Sequence, residues 1–225
     1  MLLAIDTATQ VLSLALHDQQ TLIAEQTWRT GNRHNTLLAT SIQSILSLCE
    51  VKPEDLTAVA VSVGPGTYTG LRVGVAMAKG IAQVRKLPLI GLSTLDTLAA
   101  SQPFTNTKYT LITVVQAGRG RIISAPYRVK KGRWTADDEP TLTTWEKLLS
   151  DLPDGSYYVT GEVDEDGRQR VADHAHESSP LTLVSPVHRI RRAGFLAQEA
   201  WRLLESHPHT DFEAAKVQPI YMKSE

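Results

Sequence analysis

Cysteine is nearly missing: Cys49 stands alone in 225 residues, which excludes an intramolecular disulfide framework and fits a reducing compartment. Neither sign of charge is in excess, since 23 basic residues face 24 acidic ones for a net charge of −1. There is then no global pull toward nucleic acid, and strong RNA binding by the chain alone is not favoured, although a local patch stays open. Long apolar runs are lacking too. The start MLLAIDTATQ has no basic leader and too short an apolar stretch for a signal peptide or a membrane span, so the cytoplasm is the expected compartment. The sequence contains no H-E-x-x-H, no H-x-x-x-H and no G-x-S-x-G, which removes the parts of a zinc or serine hydrolase. With 42% hydrophobic and 21% charged residues, what remains is an ordinary globular composition, long enough for one large or two small domains with proper cores.

The most telling stretch runs from Ala58 to Gly80, AVAVSVGPGTYTGLRVGVAMAKG. The Val and Ala density of AVAVSV predicts a strand buried on both faces. Gly64, Pro65 and Gly66 then predict a tight turn, and Thr67 or Thr69 caps the helix after it. On that helix Gly70, Gly74, Ala78 and Ala82 recur every fourth residue and share one face. Each glycine costs about 1 kcal/mol of helix propensity against alanine. Close approach of another backbone would offset that cost, either within the domain or across a subunit interface. A phosphate site at the helix start is the competing reading. It is partly disfavoured, because no Lys-Ser or Lys-Thr follows the glycines as in a P-loop, and GPGTYTG does not match G-x-G-x-x-G.

Met1–Ile5, Val11–Leu16 and Leu22–Thr27 read as an antiparallel meander. A helix from about Asn35 to Glu50 follows, with Leu38, Ile42, Ile45, Leu46 and Cys49 on one face, so Cys49 is a core or interface residue. After the small-faced helix, Pro88–Leu92 predicts a buried strand, and Ser93 or Thr94 the cap of a short helix through Leu98. Residues 1–100 thus read β-β-β-α-β-α-β-α, with a boundary in the polar Ser101–Lys108 segment. Beyond it come a hairpin of Tyr109–Val115 and Arg121–Val129, a short helix at Trp145–Leu149 and a strand at Tyr157–Gly161. Asp164–Pro180 reads as a mobile polar loop. The amphipathic helix Ala193–Leu204 carries an apolar stripe of Phe195, Leu196, Ala200, Leu203 and Leu204. The second half faintly repeats the first, which predicts two similar α/β lobes, 1–100 and 101–225, with a cleft between them and a last helix able to pack back on the first lobe.

Asp6-Thr7-Ala8-Thr9 lies where a two-lobed phosphotransferase of the actin and sugar-kinase type carries its phosphate-binding hairpin. Such a hairpin normally needs a glycine for its N–H groups to approach the phosphate, and Ala8 stands in that place. Asp6 bonding its own turn is the plainer reading. The matching turn of the second half holds Gln116, Ala117 and Gly118, and a glutamine is neither a general base nor a strong magnesium ligand. Phosphoryl transfer is not expected. Asp6, Thr7, Thr9 and Gln116 together amount to a degenerate nucleotide site. His174 and His176 have a metal-compatible spacing but no convincing third ligand. His188, Arg189, Arg191 and Arg192 cluster before the last helix, either as a solvated helix start or as a contact to a phosphate backbone or an acidic partner. Arg33 and His34 open the first helix in the same two-sided way.

Taken together, AIDTATQVLSLAL, RHNTLL, DLTAVAVSVGPGTYTGLRVGVAMAKGIA, PLIGLSTLDTLA and the closing V-x-P-I-Y-M-K resemble the bacterial TsaB (YeaZ) family. The motif loop Gly64, Pro65, Gly66, Thr67, Tyr68, Thr69, Gly70, Leu71 and Arg72 stands where that family usually reads GPGSFTGLR. The resemblance implies a two-lobed actin-like (ASKHA, ribonuclease H-like) α/β fold and a subunit that is not the catalyst. In the family, TsaB partners a metal-containing relative, TsaD, and an ATPase, TsaE. Together they transfer a threonylcarbamoyl group to the adenosine next to the anticodon of tRNAs reading codons that begin with A. ATP and metal then belong to the partners, with no cofactor and no metal site in this chain. The catalytic relative's H-x-x-x-H is absent here.

The same resemblance implies a homodimer when alone, or a pair with TsaD, through the first two helices. It points to His34, Leu38, Ile42 and Ile45 on the first and to Leu71, Gly74, Val75 and Ala78 on the second. A Gly74→Trp change is then expected to abolish partner binding while the monomer stays folded. One departure stands out: Gln116-Ala117-Gly118 replaces the family's usual D-A-R, which puts any nucleotide or metal role of that aspartate in doubt. Contact with tRNA is expected to be indirect or weak. The alternatives are a nucleotide-binding actin-like kinase relative, for which Ala8 and Gln116 are the wrong residues, and a metallopeptidase in keeping with the superfamily's old glycoprotease label.

Overall fold

Apolar runs without alternation become central strands. The computed structural model describes residues 1–31, 33–103, 108–175 and 180–222. In it β1 (Leu2–Asp6) and β4 (Ala58–Gly64) are buried along their whole length, because both faces of their sheet are covered. Leu3, Ile5, Val59, Val61 and Val63 face one way, packing with α1 (His34–Leu48) and α2 (Tyr68–Arg85). Leu2, Ala4, Ala58 and Ala60 face the other way, toward α6 (Ala193–Ser206). With β2 (Val11–His17), β3 (Leu22–Arg29) and β5 (Leu89–Ser93) the strand order is β3-β2-β1-β4-β5. The meander is antiparallel and β4 and β5 add in parallel.

The chain divides into two compact units, Met1–Thr97 with Arg191–Tyr221, and Leu98–Ile190 with Met222. The first unit is therefore discontinuous: the last helix, which the sequence reading counts within 101–225 but expects to be able to pack back on the first lobe, is part of the first unit's core. The buried side of α6 is Ala193, Gly194, Leu196, Ala197 and Ala200. It is rotated from the predicted stripe, with Phe195, Leu203 and Leu204 only half-buried, because the sheet face beneath is lined by Ala4, Ala15, Ala58 and Ala60 and admits a helix of small residues at close range.

The division falls inside α3 (Thr94–Ala100). The second unit's sheet is built on β6 (Thr110–Gly118), β7 (Arg121–Lys130) and β8 (Arg133–Ala136), with β10 (Tyr157–Gly161) and β11 (Leu181–Leu183) in parallel to β6. β9 (Thr141–Thr144) pairs with β7. Read as β8-β7-β6-β10-β11, order and strand sense repeat those of the first unit. This duplication is the two-lobed actin-like (ASKHA, ribonuclease H-like) α/β fold.

One face of that sheet carries α4 (Trp145–Ser150) and α5 (Glu165–His174), packed over Ile112, Val114 and Val159. Here the expected mobile loop at 164–180 is corrected for residues 164–175, while residues 176–179 lie outside the described residues. Asp164 Oδ1 accepts bonds from Gly167 N at 2.9 Å and from Trp145 Nε1 at 3.0 Å, and Val171 is buried in the same cluster. A capped, anchored turn orders a segment whose polarity alone suggests a loop. His174 ends this helix, whereas His176 lies outside the described residues. Among the described residues no helix is long and apolar enough to cross a membrane.

Candidate partner-binding face and the hairpin beneath it

The motif loop lies directly on the turn between β1 and β2. Thr67 N donates to Ala8 O at 2.6 Å, Thr7 Oγ1 donates to Gly70 O at 2.7 Å, and the Thr67 hydroxyl caps α2 by accepting from Gly70 N at 3.3 Å. A Cβ at Gly66 or Gly70 would collide with the carbonyl oxygen of Ala8 or Thr7, and one at Gly74 with Thr7 Oγ1. Gly70 and Gly74 are thus required inside the unit, which resolves the two readings of that stripe at these positions. The C-terminal tail closes the loop from its other end: Ile220 N donates to Val63 O at 2.7 Å, and the Tyr221 ring lies 5.3 Å from that of Tyr68. Arg72 places its guanidinium 4.2 Å from the Tyr68 ring centre. Pro65 and Leu71 are buried, while Thr69 is exposed.

The hairpin's polar side chains are consumed internally. Asp6, Thr7 and Thr9 are buried. Asp6 Oδ1 accepts from Ala8 N at 2.9 Å, and its carboxylate pairs with Arg191 Nε at 3.1 Å. Arg191, itself 2% exposed, also donates to Thr9 Oγ1. Gln116 belongs to the second unit, where its backbone N–H donates to Glu162 Oε2 and its side-chain amide to Glu162 O, both at 3.1 Å. Among the described residues no group of three or more His, Cys, Asp or Glu side chains gathers as a metal would need.

Two members of the basic cluster are therefore reassigned. Arg191 neutralises Asp6, and Arg192 pairs with Glu25, whose Oε1 accepts from Gly194 N at 2.7 Å. Ser13 Oγ accepts from Ala193 N at 2.8 Å. Lacking a side-chain cap of its own, α6 has its first N–H groups satisfied by β2 and β3, and a carboxylate at a helix start is favourable. Arg191 and Arg192 are scaffold residues rather than a surface for phosphate. No local pattern announces a pair formed by residues near opposite ends of the chain.

The residues that the resemblance assigned to a partner also need correction. Leu38, Ile42, Ile45, Leu71, Val75 and Ala78 are core residues, as is Gly74, and the side chain of His34 lies outside the described residues. Gly74→Trp would collide with Thr7, so that variant tests folding and not binding. Helical spacing gives core and interface stripes alike. The outward side is made of Ala39, Thr40, Ser44, Ser47 and Leu48 on α1 and of Ala76, Gly80 and Val84 on α2, flanked by half-buried Val73, Met77 and Ile81. Leu48 and Val84 are 71% and 84% exposed. Neither helix contains Asp or Glu, while α2 carries Arg72, Lys79 and Arg85. A Cβ added to Gly80 would meet nothing within 4 Å. Such a smooth, largely uncharged surface admits another helix at short range, and its cationic margin favours an acidic rim on whatever docks there.

A family model described as TsaD, tRNA N6-adenosine threonylcarbamoyltransferase, matches residues 23–164. The chain is 32% identical over 153 residues to the tRNA threonylcarbamoyladenosine biosynthesis protein TsaB of Bacillus subtilis (strain 168), covering 67% of this chain and 66% of that one. It is 33% identical over 138 residues to the protein of the same name from Escherichia coli (strain K12), covering 61% and 59%. The matches thus span about two thirds or less of these relatives' lengths. Among solved structures, YeaZ from Pseudomonas aeruginosa superimposes with a TM-score of 0.80 at 20% identity, over 98% of this chain and 99% of that one, a likeness of fold. With more than half of its length matched by the family model and TsaB proteins as its relatives, the chain belongs to the TsaB (YeaZ) family, within the wider family that the TsaD model describes.

Proposed function

We propose that this chain is a non-catalytic scaffold subunit of tRNA threonylcarbamoyladenosine synthesis. Working with a TsaD-like catalytic subunit and a TsaE-like ATPase in the cytoplasm, it supports transfer of the threonylcarbamoyl group to the adenosine next to the anticodon of tRNAs reading ANN codons. The names of its relatives support the pathway. The engagement of Asp6, Thr7 and Thr9 in internal bonds supports a role without chemistry of its own. ATP and metal are the partners' to bind, and tRNA is met indirectly.

The observation that carries the scaffold reading is Gly80. An exposed glycine within a helix costs about 1 kcal/mol against alanine, and nothing inside the unit requires it. Close packing of a partner helix does. The outer side of α1 and α2 is accordingly the docking face for the catalytic subunit, and for a second copy when the chain is alone. The test is tRNA modification in vitro with TsaD, TsaE, ATP and the threonylcarbamoyl donor, with and without this chain. Modification should depend on its addition, and Gly80→Arg should remove both that stimulation and partner binding while the chain melts no lower than the wild type. Modification that proceeds equally well without the chain would overturn the role; Gly80→Arg binding normally would overturn the face alone.

A further inference from the structure

In the second unit, Leu111 on β6, Tyr158 on β10 and Thr182 on β11 stand beside one another in register. They alternate with Ile112 and Val159, which pack under α4 and α5, and so belong to the other face of that sheet. The corresponding face of the first sheet, away from α1 and α2, is covered by α6. Here the three residues, with Trp134 and Gln102, line a cavity of about 190 Å³. Its lining lies wholly within Leu98–Ile190. Leu111, Trp134 and Gln102 are buried, whereas Thr182 and His188 are exposed at the rim.

The walls are held from behind. Trp134 Nε1 donates to Gln102 O at 3.0 Å, and the Tyr158 ring stacks on that of Tyr109 with 4.3 Å between ring centres. Gln102 is 5% exposed, and its Nε2 lies 2.7 Å from His188 O, 2.7 Å from Ser101 Oγ and 3.3 Å from Leu98 O. These acceptors fix which end of the amide is the nitrogen. Its Oε1 accepts from no described residue, and a carbonyl oxygen so deeply placed is costly to leave without a donor. Among the described residues no Asp, Glu, Lys or Arg lines the cavity.

We propose that this cavity binds a neutral, flat aromatic molecule of one or two fused rings that carries a hydrogen-bond donor. Its size is below the roughly 300–1,000 Å³ of pockets for drug-sized ligands, which limits the occupant to a small ring system. Two aromatic side chains in fixed orientation favour a ring partner, and walls already ordered lower the cost of binding it. A charged ligand would lose its hydration without gaining a counter-ion. The donor is what Gln102 Oε1 lacks. The site is independent of the docking face on α1 and α2 and of the scaffold role.

Indole titrated into the full chain, read by calorimetry and by the Trp134 Nε1–H resonance, tests it. Binding should saturate at one site and shift that resonance. N-methylindole, which keeps the rings and loses the donor, should bind about tenfold more weakly, and benzoate should not compete. Thr182→Trp places a large ring at the rim, on an exposed position, and should abolish indole binding while its melting curve matches the wild type. Absence of saturable binding at millimolar indole, binding that leaves the Trp134 resonance in place, or normal binding by the folded Thr182→Trp chain overturns the site. N-methylindole binding as tightly as indole overturns the role of Gln102, and benzoate binding as tightly overturns the neutral class of ligand.

Discussion

Gly74 and Gly80 sit on one helix and have opposite reasons to be glycine. At Gly74 a Cβ would strike Thr7, while at Gly80 it would enter open space. The first is explained by the unit's own packing, and the second is not. The contrast extends to the layers they face. Beneath α2, Asp6, Thr7 and Thr9 are buried and bonded. Above it lies a surface of alanine, serine, threonine and exposed Val84. Smallness alone does not mark an interface, since at Gly74 the unit's own packing accounts for it.

The contrast breaks most severely at Arg191. Replacing it by Met leaves the Asp6 carboxylate buried and uncompensated, for an expected loss of about 3–5 kcal/mol in urea unfolding, much of it recovered when Asp6→Asn is added. Gly74→Ala forces Thr7 aside and should cost about 1–3 kcal/mol by the same assay; a neutral result would show that the inner contact is slack. Ser62 Oγ and Thr94 Oγ1 are shielded hydroxyls with no partner among the described residues. Ser62→Ala and Thr94→Val should each stabilise the chain by about 1 kcal/mol, and destabilisation would reveal a bound acceptor. The smallest effect sharpens the outer side: Gly80→Ala should raise stability by about 0.5–1 kcal/mol in the isolated chain.

Central strands and both long helices of the first unit were legible because apolar density, helical spacing and the Thr67 cap all act locally. α5 was missed because its order rests on one capping aspartate and on Trp145, remote in sequence. The turn at Asp6 is legible as one that its own side chain bonds, with Ala8 N donating to Asp6 Oδ1, and Ala8 as the wrong residue for a phosphate-binding hairpin. That Arg191 and the GPG loop fill the position could not be read, since those contacts join residues far apart in the chain. Partner residues were misplaced because a heptad-like stripe says which side of a helix is apolar, not whether core or partner covers it.

Because Arg191–Tyr221 completes a unit begun at Met1, the ribosome delivers the two pieces of that unit at separate times, with the second unit made between them. The intervening unit, Leu98–Ile190, emerges whole and is free to fold first. Until the last segment follows, Asp6 waits without its counter-ion, the alanine face of the first sheet lacks α6, and Ile220 is not yet there to bond Val63. The motif loop is thus completed late although it is translated early.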